Sequence, residues 1–414
     1  MSYKNIYILG VGGSGMSSIA KYLKQKGDNV IGYDQRKSYV TNLLNQDGIK
    51  VVHTLDEIIY TPESLYIYSS AIPIESENFQ DFYDKENVLS RPDYLKILSE
   101  DHKIIGITGT HGKTSTTALL SHIFHFNNLN VSYLYGGITT FNGIGGHYGD
   151  ADKPLILETD EAFNTFEKIN ISDLLVLNVD SDHLDYFKNL DNYKTAFYKV
   201  MKNVTDNLVV NNDDLNIKSM KELKNLVSYG TDISADFKVQ SSGIFIYENN
   251  KYEIKTDIIG DHFKSNMVGA IILALLNGIE ISDSLNAIES FAGVKRRIEL
   301  IGISKGVSIY DDYGHHPTEM EATITALKEQ TKSKLYVVFQ PHRYTRTKEY
   351  FNSFKDSLKL ADYAIVTDIY PAGESPIPGL SSKNFEEESI KYLKSIRYVP
   401  EYLSKKVQNG DIVL

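Results

Sequence analysis

The stretch Lys103-Ile104-Ile105-Gly106-Ile107-Thr108-Gly109-Thr110-His111-Gly112-Lys113-Thr114-Ser115 decides the fold. Residues 103–108 form a short apolar run of buried-strand length, and the glycine turn after them leads into a helix expected from Thr114 to about Phe126. A strand, a glycine turn and a helix start in that order aim several backbone N–H groups, and the positive end of the helix dipole, at one point, which suits a phosphate. Lys113 has the reach to touch the β- and γ-phosphates of a bound nucleotide, and the hydroxyl of Thr114 suits Mg²⁺. The candidate ATP-binding residues here are Gly109, Thr110, His111, Gly112, Lys113, Thr114 and Ser115. The strict spacing G-x-x-x-x-G-K-[ST] is missed by one position, because Gly106 sits one residue early and Ile107 fills its slot.

Upstream, residues 4–10 read as a strand, Ser14 to Gly27 as a helix and Asn29 to Tyr33 as the next strand, the opening of a parallel α/β domain. The turn Gly10-Val11-Gly12-Gly13-Ser14-Gly15 fits G-x-G-x-x-G, and Asp34 lies 19 residues after Gly15 at the end of the second strand. Alone, this pattern suggests a dinucleotide; beside a second phosphate loop it also suits another pyrophosphate. Leu65 to Ser69 is a further strand, and Arg91-Pro92 interrupts the pattern before a boundary near residue 100.

Downstream, the strands Leu155–Glu158 and Leu174–Asn178 each run into polar residues: Asp160 and Glu161 after the first, Asp180-Ser181-Asp182-His183 after the second. Ligands of open α/β sheets gather at the carboxyl ends of strands, so these groups are candidates to converge on the phosphate loop. Residues 235–257 alternate as a small antiparallel insert, and a helix from about Lys264 to Asn277 is apolar nearly all round, as a buried helix is. From Lys295 the alternation resumes, with strands at Val307–Tyr310, Leu335–Phe339 and Ala364–Thr367 and helices at about Thr318–Glu329, Arg346–Leu360 and Asn384–Leu393. The strand Asp411–Leu414 has no helix after it, so this domain reads as cut short. The expected architecture is three consecutive α/β domains: 1–99 Rossmann-like, 100–294 P-loop-like with a mostly parallel sheet and the insert, and 295–414 Rossmann-like.

The chain has 414 residues and no cysteine, which excludes disulfides, thiolate metal sites and cysteine nucleophiles and fits a cytoplasmic enzyme. No apolar run approaches the length of a membrane span, and a net charge of -11 makes nucleic acid and anionic membranes poor partners. The cations that matter are local. Asp312 and His315 follow one strand of the last domain, and His342, Arg343 and Arg346 follow the next, places for anionic groups.

With these motifs in place the chain resembles the Mur ligase family nearly end to end. The resemblance rests on Ile8 to Met16, the Gly-Thr-His-Gly-Lys-Thr loop, Asn178 to His183, Asp311 to Glu319, Phe339 to Thr347 and Tyr370-Pro371-Ala372-Gly373-Glu374. The last three point to the branch that joins L-alanine to UDP-N-acetylmuramate, with ATP and Mg²⁺. The resemblance implies that Gly12, Gly13, Ser14 and Asp34 bind the UDP substrate, with His342 and Arg346. It implies that Thr114, Glu158 and His183 hold Mg²⁺, and that Asn266, Arg297 and Asp312 hold the nucleotide. Lys113, His183, His315 and Arg343 would take the catalytic roles, in a monomer or weak homodimer.

Three segments depart from the family pattern. Glu158-Thr159-Asp160-Glu161-Ala162-Phe163 replaces Glu-Ala-Asp-Glu-Ser-Asp, His262-Phe263-Lys264-Ser265-Asn266 keeps the last Asn of His-Asn-x-x-Asn but not the first, and the chain stops earlier than the usual family pattern. The competing readings are a murein-peptide recycling ligase or other Mur-type ligase, an NAD-dependent oxidoreductase built on the first glycine turn, and a nucleotide-binding regulator without turnover. The oxidoreductase leaves Lys113 and Thr114 without a task.

Overall fold

The computed structural model describes residues 3–182, 184–240 and 243–414. Three sheets follow one another along the chain. The first contains β1 (Asn5–Leu9), β2 (Val30–Tyr33), β3 (Lys50–Val52), β4 (Ser64–Tyr68) and β5 (Val88–Ser90), in the order β3-β2-β1-β4-β5 and parallel throughout. Its helices are α1 (Ser14–Lys26), α2 (Tyr39–Gln46) and α3 (Arg91–Asp101). Gly27, at φ +101°, stops α1 in the left-handed region. Arg91-Pro92 starts a helix rather than interrupting one: Ser90 caps α3 by accepting from the Asp93 N–H, and the proline sits in the first turn, where its missing N–H costs nothing.

The second sheet has ten strands: β6 (Ile104–Thr108), β7 (Ser132–Thr139), β8 (Gly143–His147), β9 (Leu155–Glu158), β10 (Asp173–Val176), β11 (Asn207–Asn211), β12 (Leu226–Gly230), β13 (Phe237–Val239), β14 (Ile244–Tyr247) and β15 (Asn250–Glu253). Their order is β15-β14-β13-β12-β11-β10-β6-β9-β7-β8. The interior pairs are parallel and both edges antiparallel. The expected insert is therefore a continuation of this sheet, joined through parallel pairing of β12 and β13. Its helices are α4 (Lys113–Phe126), α5 (Leu184–Phe187), α6 (Leu190–Lys202), α7 (Leu215–Lys218), α8 (Asp261–Leu276) and α9 (Ile281–Glu289). Residues Asn266 to Ala274 of α8 are buried, as its apolar sequence requires.

The hairpin β7–β8 packs against α1, and glycine makes that approach possible. A Cβ on Gly146 would lie 2.0 Å from the Ser18 carbonyl oxygen, backbone against backbone. Lys21, buried on α1, donates to the carbonyl oxygens of Asn142 and Ile144 in the same hairpin. Burial holds its ammonium below the usual lysine range.

The third sheet has β16 (Glu299–Ser304), β17 (Val307–Asp311), β18 (Leu335–Phe339), β19 (Tyr363–Val366), β20 (Ile390–Tyr392) and β21 (Ile412–Val413), in the order β16-β17-β21-β18-β19-β20. The final apolar segment thus fills the middle of the sheet, parallel to both neighbours. Its helices are α10 (Pro317–Gln330), α11 (Tyr344–Glu349), α12 (Phe351–Leu358) and α13 (Val399–Ser404). The helix expected over Asn384–Leu393 is absent; a short 3₁₀ turn over Ser382–Phe385 leads into β20, whose backbone pairs with the edge of β19. The chain forms two compact units, one of residues 1–257 with 264–294, the other of residues 258–263 with 295–414. Among the described residues no helix is long and apolar enough to cross a membrane.

Candidate active site

The phosphate loop leaves β6 at the centre of the ten-stranded sheet, between β9 and β10. Gly109 and Gly112 have φ of +145° and +84°, a region other residues avoid. A Cβ on Gly109 would meet the Leu177 Cβ at 3.0 Å, and one on Gly112 would lie 2.6 Å from Asn266 Nδ2, which places Asn266 of α8 directly over the loop.

Residues after β10 clamp the loop from the other side. Asn178 accepts from the His111 N–H through Oδ1 (2.8 Å), donates to the His111 carbonyl (3.0 Å) and accepts from the Thr110 N–H through its own carbonyl (3.1 Å). The Asp180 N–H donates to Thr110 Oγ1 (2.8 Å), and His111 Nε2 lies 3.2 Å from Asp180 Oδ2. Asn178 and Asp180 therefore shape the loop, a role their loop position in the sequence does not distinguish from metal binding. Helix α4 begins at Lys113 with no side-chain cap, and Ser115 is buried in its first turn. The first-turn N–H groups of a helix lack intrahelical acceptors and so face whatever occupies the loop.

Two carboxylates divide the work beside Lys113 and Thr114. Thr114 Oγ1 donates to Glu158 Oε1 (2.7 Å), and Glu158 Oε2 accepts from the Gly136 N–H (2.6 Å). Lys113 Nζ donates to the carbonyls of Gly109 (2.6 Å) and Thr110 (3.1 Å) and to Glu161 Oε1 (3.0 Å). Burial alone would lower the Lys113 pKa; Glu161 first, then Asp160, outweigh it and hold the ammonium above its ordinary value. Tyr193, fully buried, sets its hydroxyl 3.4 Å from Glu161 Oε1 and 3.0 Å from Thr110 Oγ1. His183, the third expected metal ligand, lies outside the described residues.

The first glycine turn is tied to Asp34. The Gly12 N–H donates to Asp34 Oδ2 (2.9 Å) and the Arg36 N–H to Oδ1 (3.0 Å). A Cβ at residue 12 would sit 2.7 Å from Asp34 Oδ2, so a larger residue there would push on the carboxylate that holds the turn. Asp34 thus braces the turn through Oδ2 and its own segment through Oδ1, whereas in the dinucleotide pattern the acid faces a ribose. Gly13 precedes α1, which has neither a side-chain cap nor an acidic residue in its first turn. Ser14 lies close to the second site: a Cβ on Gly136 would meet Ser14 Oγ at 3.1 Å and Glu158 Oε2 at 3.4 Å. A cavity of about 90 Å³ opens there, lined by Ser14, Arg91, Tyr135, Glu158 and Asp160 among others.

In the second unit, Asp312 accepts from the N–H groups of Ile298 (2.9 Å) and Gly314 (2.7 Å). Burial pushes its carboxyl up, against those hydrogen bonds and Arg297. Glu319 gathers the neighbours, accepting from the His315 N–H (3.2 Å) with Arg297 at 3.9 Å. Arg296 and Arg297 both lie over the Tyr313 ring. His342 stacks on Tyr370, and burial, then Arg346 and Arg343, hold its imidazole below the ordinary histidine value. Arg343, at φ +72°, donates from Nε to Glu374 Oε1 (2.6 Å), and Thr345 donates to the same carboxylate through its N–H and its hydroxyl.

Burial would raise Glu374, but the Thr345 hydrogen bonds and the Arg343 guanidinium outweigh it and hold the carboxyl at about 2, against an ordinary 4.5. A depressed carboxyl contributes its stability above pH 4.5 and loses it as pH falls towards 2. Glu374→Gln is therefore expected to flatten the acid limb of unfolding between those values, followed by circular dichroism; an unchanged acid limb would refute the clamp.

A glycine loop of the phosphate-binding kind, carrying a lysine and a threonine hydroxyl paired with a carboxylate, at the end of the central strand of an α/β sheet, defines a nucleotide-dependent enzyme of the P-loop type. Residues 5–101 match the catalytic domain of the Mur ligase family, 107–274 the Mur ligase middle domain and 296–414 the Mur ligase glutamate ligase domain. The UDP-N-acetylmuramate–L-alanine ligase of Caldicellulosiruptor saccharolyticus is 35% identical, over 98% of this chain and 94% of the relative. That of Hydrogenobaculum sp. is 36% identical, over 92% and 88%. Among solved structures, the UDP-N-acetylmuramate–alanine ligase of Thermotoga maritima superposes with TM-score 0.82 at 23% identity, over 99% of this chain and 94% of that one. A murein peptide ligase of Psychrobacter arcticus gives 0.70 at 21%, with the same coverage. The chain belongs to the Mur ligase family.

Proposed function

We propose that this chain is the cytoplasmic, ATP-dependent ligase that joins L-alanine to the lactyl carboxylate of UDP-N-acetylmuramate, in the synthesis of peptidoglycan precursors. The observation that carries this reading is the Lys113–Thr114–Glu158 arrangement on the phosphate loop, in a chain similar nearly end to end to relatives named for that reaction. The substrate carboxylate oxygen attacks the γ-phosphorus of ATP, ADP leaves, and an acyl phosphate forms. The neutral alanine amine then attacks the carbonyl carbon, and the tetrahedral intermediate expels phosphate while the nitrogen loses one proton, which leaves with the phosphate or to solvent, and keeps the other as the amide N–H. Such chemistry depends on placement and on neutralising charge on the moving phosphoryl group, the task assigned to Lys113.

Mg²⁺ fits the residues present. A hydroxyl and a carboxylate joined at 2.7 Å beside an uncapped helix start supply two hard oxygen donors where phosphates would complete the shell. Thr114 and Glu158 would hold the ion, with His183, and it would neutralise phosphate charge.

Residues 1–99 take the UDP substrate through Gly12, Gly13 and Ser14 on the turn that Asp34 braces; residues 100–294 take ATP, with Asn266 over the loop. In residues 295–414, Arg297, Asp312 and His315 are assigned to nucleotide and amino acid, and His342, Arg343 and Arg346 to anionic groups. The protein acts as a monomer or weak homodimer. Phosphate release should require ATP, Mg²⁺, UDP-N-acetylmuramate and L-alanine together, and release that ignores either substrate would sink this reading. Competition by a murein tripeptide in place of L-alanine tests the recycling alternative.

A further inference from the structure

Lys113 commits all three ammonium protons within its own chain, two to loop carbonyls and one to Glu161. A bound nucleotide needs some of that capacity, so at least one bond must be exchanged. The three partners differ in what their loss costs. Glu161 is 1% exposed and both its oxygens lie within 3.0 Å of the ammonium, whereas the carbonyls are neutral backbone acceptors. Stripping the cation from a buried carboxylate costs several times as much as exchanging a neutral acceptor for a phosphate oxygen. Glu161 is itself held, with the buried Tyr193 hydroxyl against Oε1 and against Thr110 of the loop.

We propose that Glu161 is a positioning residue that keeps its hold on Lys113 when nucleotide binds. Lys113 then trades the Gly109 and Thr110 carbonyls for phosphate oxygens and pivots about a fixed carboxylate. The proposal rests on the reading that this loop takes the phosphates of ATP. It separates Glu161 from Glu158, three residues away, which accepts from Thr114 and would hold the metal.

The test has two arms. In steady-state assays of the full chain, Glu161→Gln keeps the shape and removes the charge. Its kcat should fall by about 10- to 100-fold, while affinity for ADP, measured by calorimetry, stays within about threefold. A wild-type kcat, or a loss of ADP binding in step with kcat, would overturn the proposal. Glu161→Asp, which keeps the charge on a shorter arm, should recover part of the lost rate, and it carries the kinetic test if the glutamine variant does not fold. The second arm is a crystal structure of the wild-type chain with ADP, which needs no acceptor substrate and stands even if the ligase reading fails. Lys113 Nζ should remain on Glu161; a separation beyond about 4 Å, the reach of an ion pair, would refute the pivot.

Discussion

Lys113→Ala is expected to lower substrate-dependent phosphate release by about 10³-fold or more, the scale at which removing a charge from a phosphoryl-transfer site acts. The sequence suggests that such a variant folds as before, because alanine is the best of helix formers at the first position of α4. The structure adds a cost. Glu161 is buried, and without its cation it stands as an uncompensated charge, worth about 3–5 kcal/mol when one partner of a buried pair is removed. The alanine variant should therefore melt lower than wild type until Glu161 takes up a proton. The double variant Lys113→Ala/Glu161→Gln should regain most of the melting temperature and none of the turnover. Near-normal turnover in either would contradict the role of Lys113, and equal melting of the single and double variants would contradict the ion pair.

Gly146→Ala is expected to be among the most damaging single-methyl changes in the first unit. Its Cβ would lie 2.0 Å from the Ser18 carbonyl oxygen and 2.8 Å from the carbonyl carbon, atoms of the α1 backbone that cannot swing aside. The hairpin and helix must part, and Lys21 then loses its carbonyl acceptors across that contact. Overpacking of this kind costs about 2–3 kcal/mol, which differential scanning calorimetry should register as a fall of several degrees. Because Ser14 starts the same helix, the apparent KM for the UDP substrate should rise more than that for ATP. A variant that melts like wild type would show that the hairpin does not bear on α1 as closely as described.

The central strands and both glycine turns are legible in the sequence because they combine two signals that reinforce each other, an apolar run and glycines at its end. The hairpin β7–β8 carries the opposite combination. Gly136, Gly137, Gly143, Gly145 and Gly146 are poor strand formers by propensity; Gly143 is explained by its φ of +68°, and the other four by the helix and side chains that press on them. The segment Asn384–Leu393 fails for a related reason: its apolar spacing suits a helix, but the open edge of β19 offers backbone pairing that local sequence does not display. In the candidate site, residue types and strand ends identify Lys113, Thr114 and Glu158. Nothing local tells Glu158 from Glu161, since one peptide segment supplies both carboxylates and only their neighbours sort the partner of Thr114 from the partner of Lys113. Asp34 likewise sits where the dinucleotide pattern puts it, with its oxygens turned to the backbone.

The place of β21 has a consequence for how the second unit is made. Ser308 pairs with Ile412, 104 residues later, and β18 meets the same strand on its other side. As the chain leaves the ribosome, β17 and β18 emerge with a vacant lane between them that neither can close. Two half-sheets must wait, their inner edges open to any passing strand, until that short hydrophobic segment arrives to join them. Contacts so distant along the chain are slow to form, so this unit should be the one that most needs shelter during synthesis.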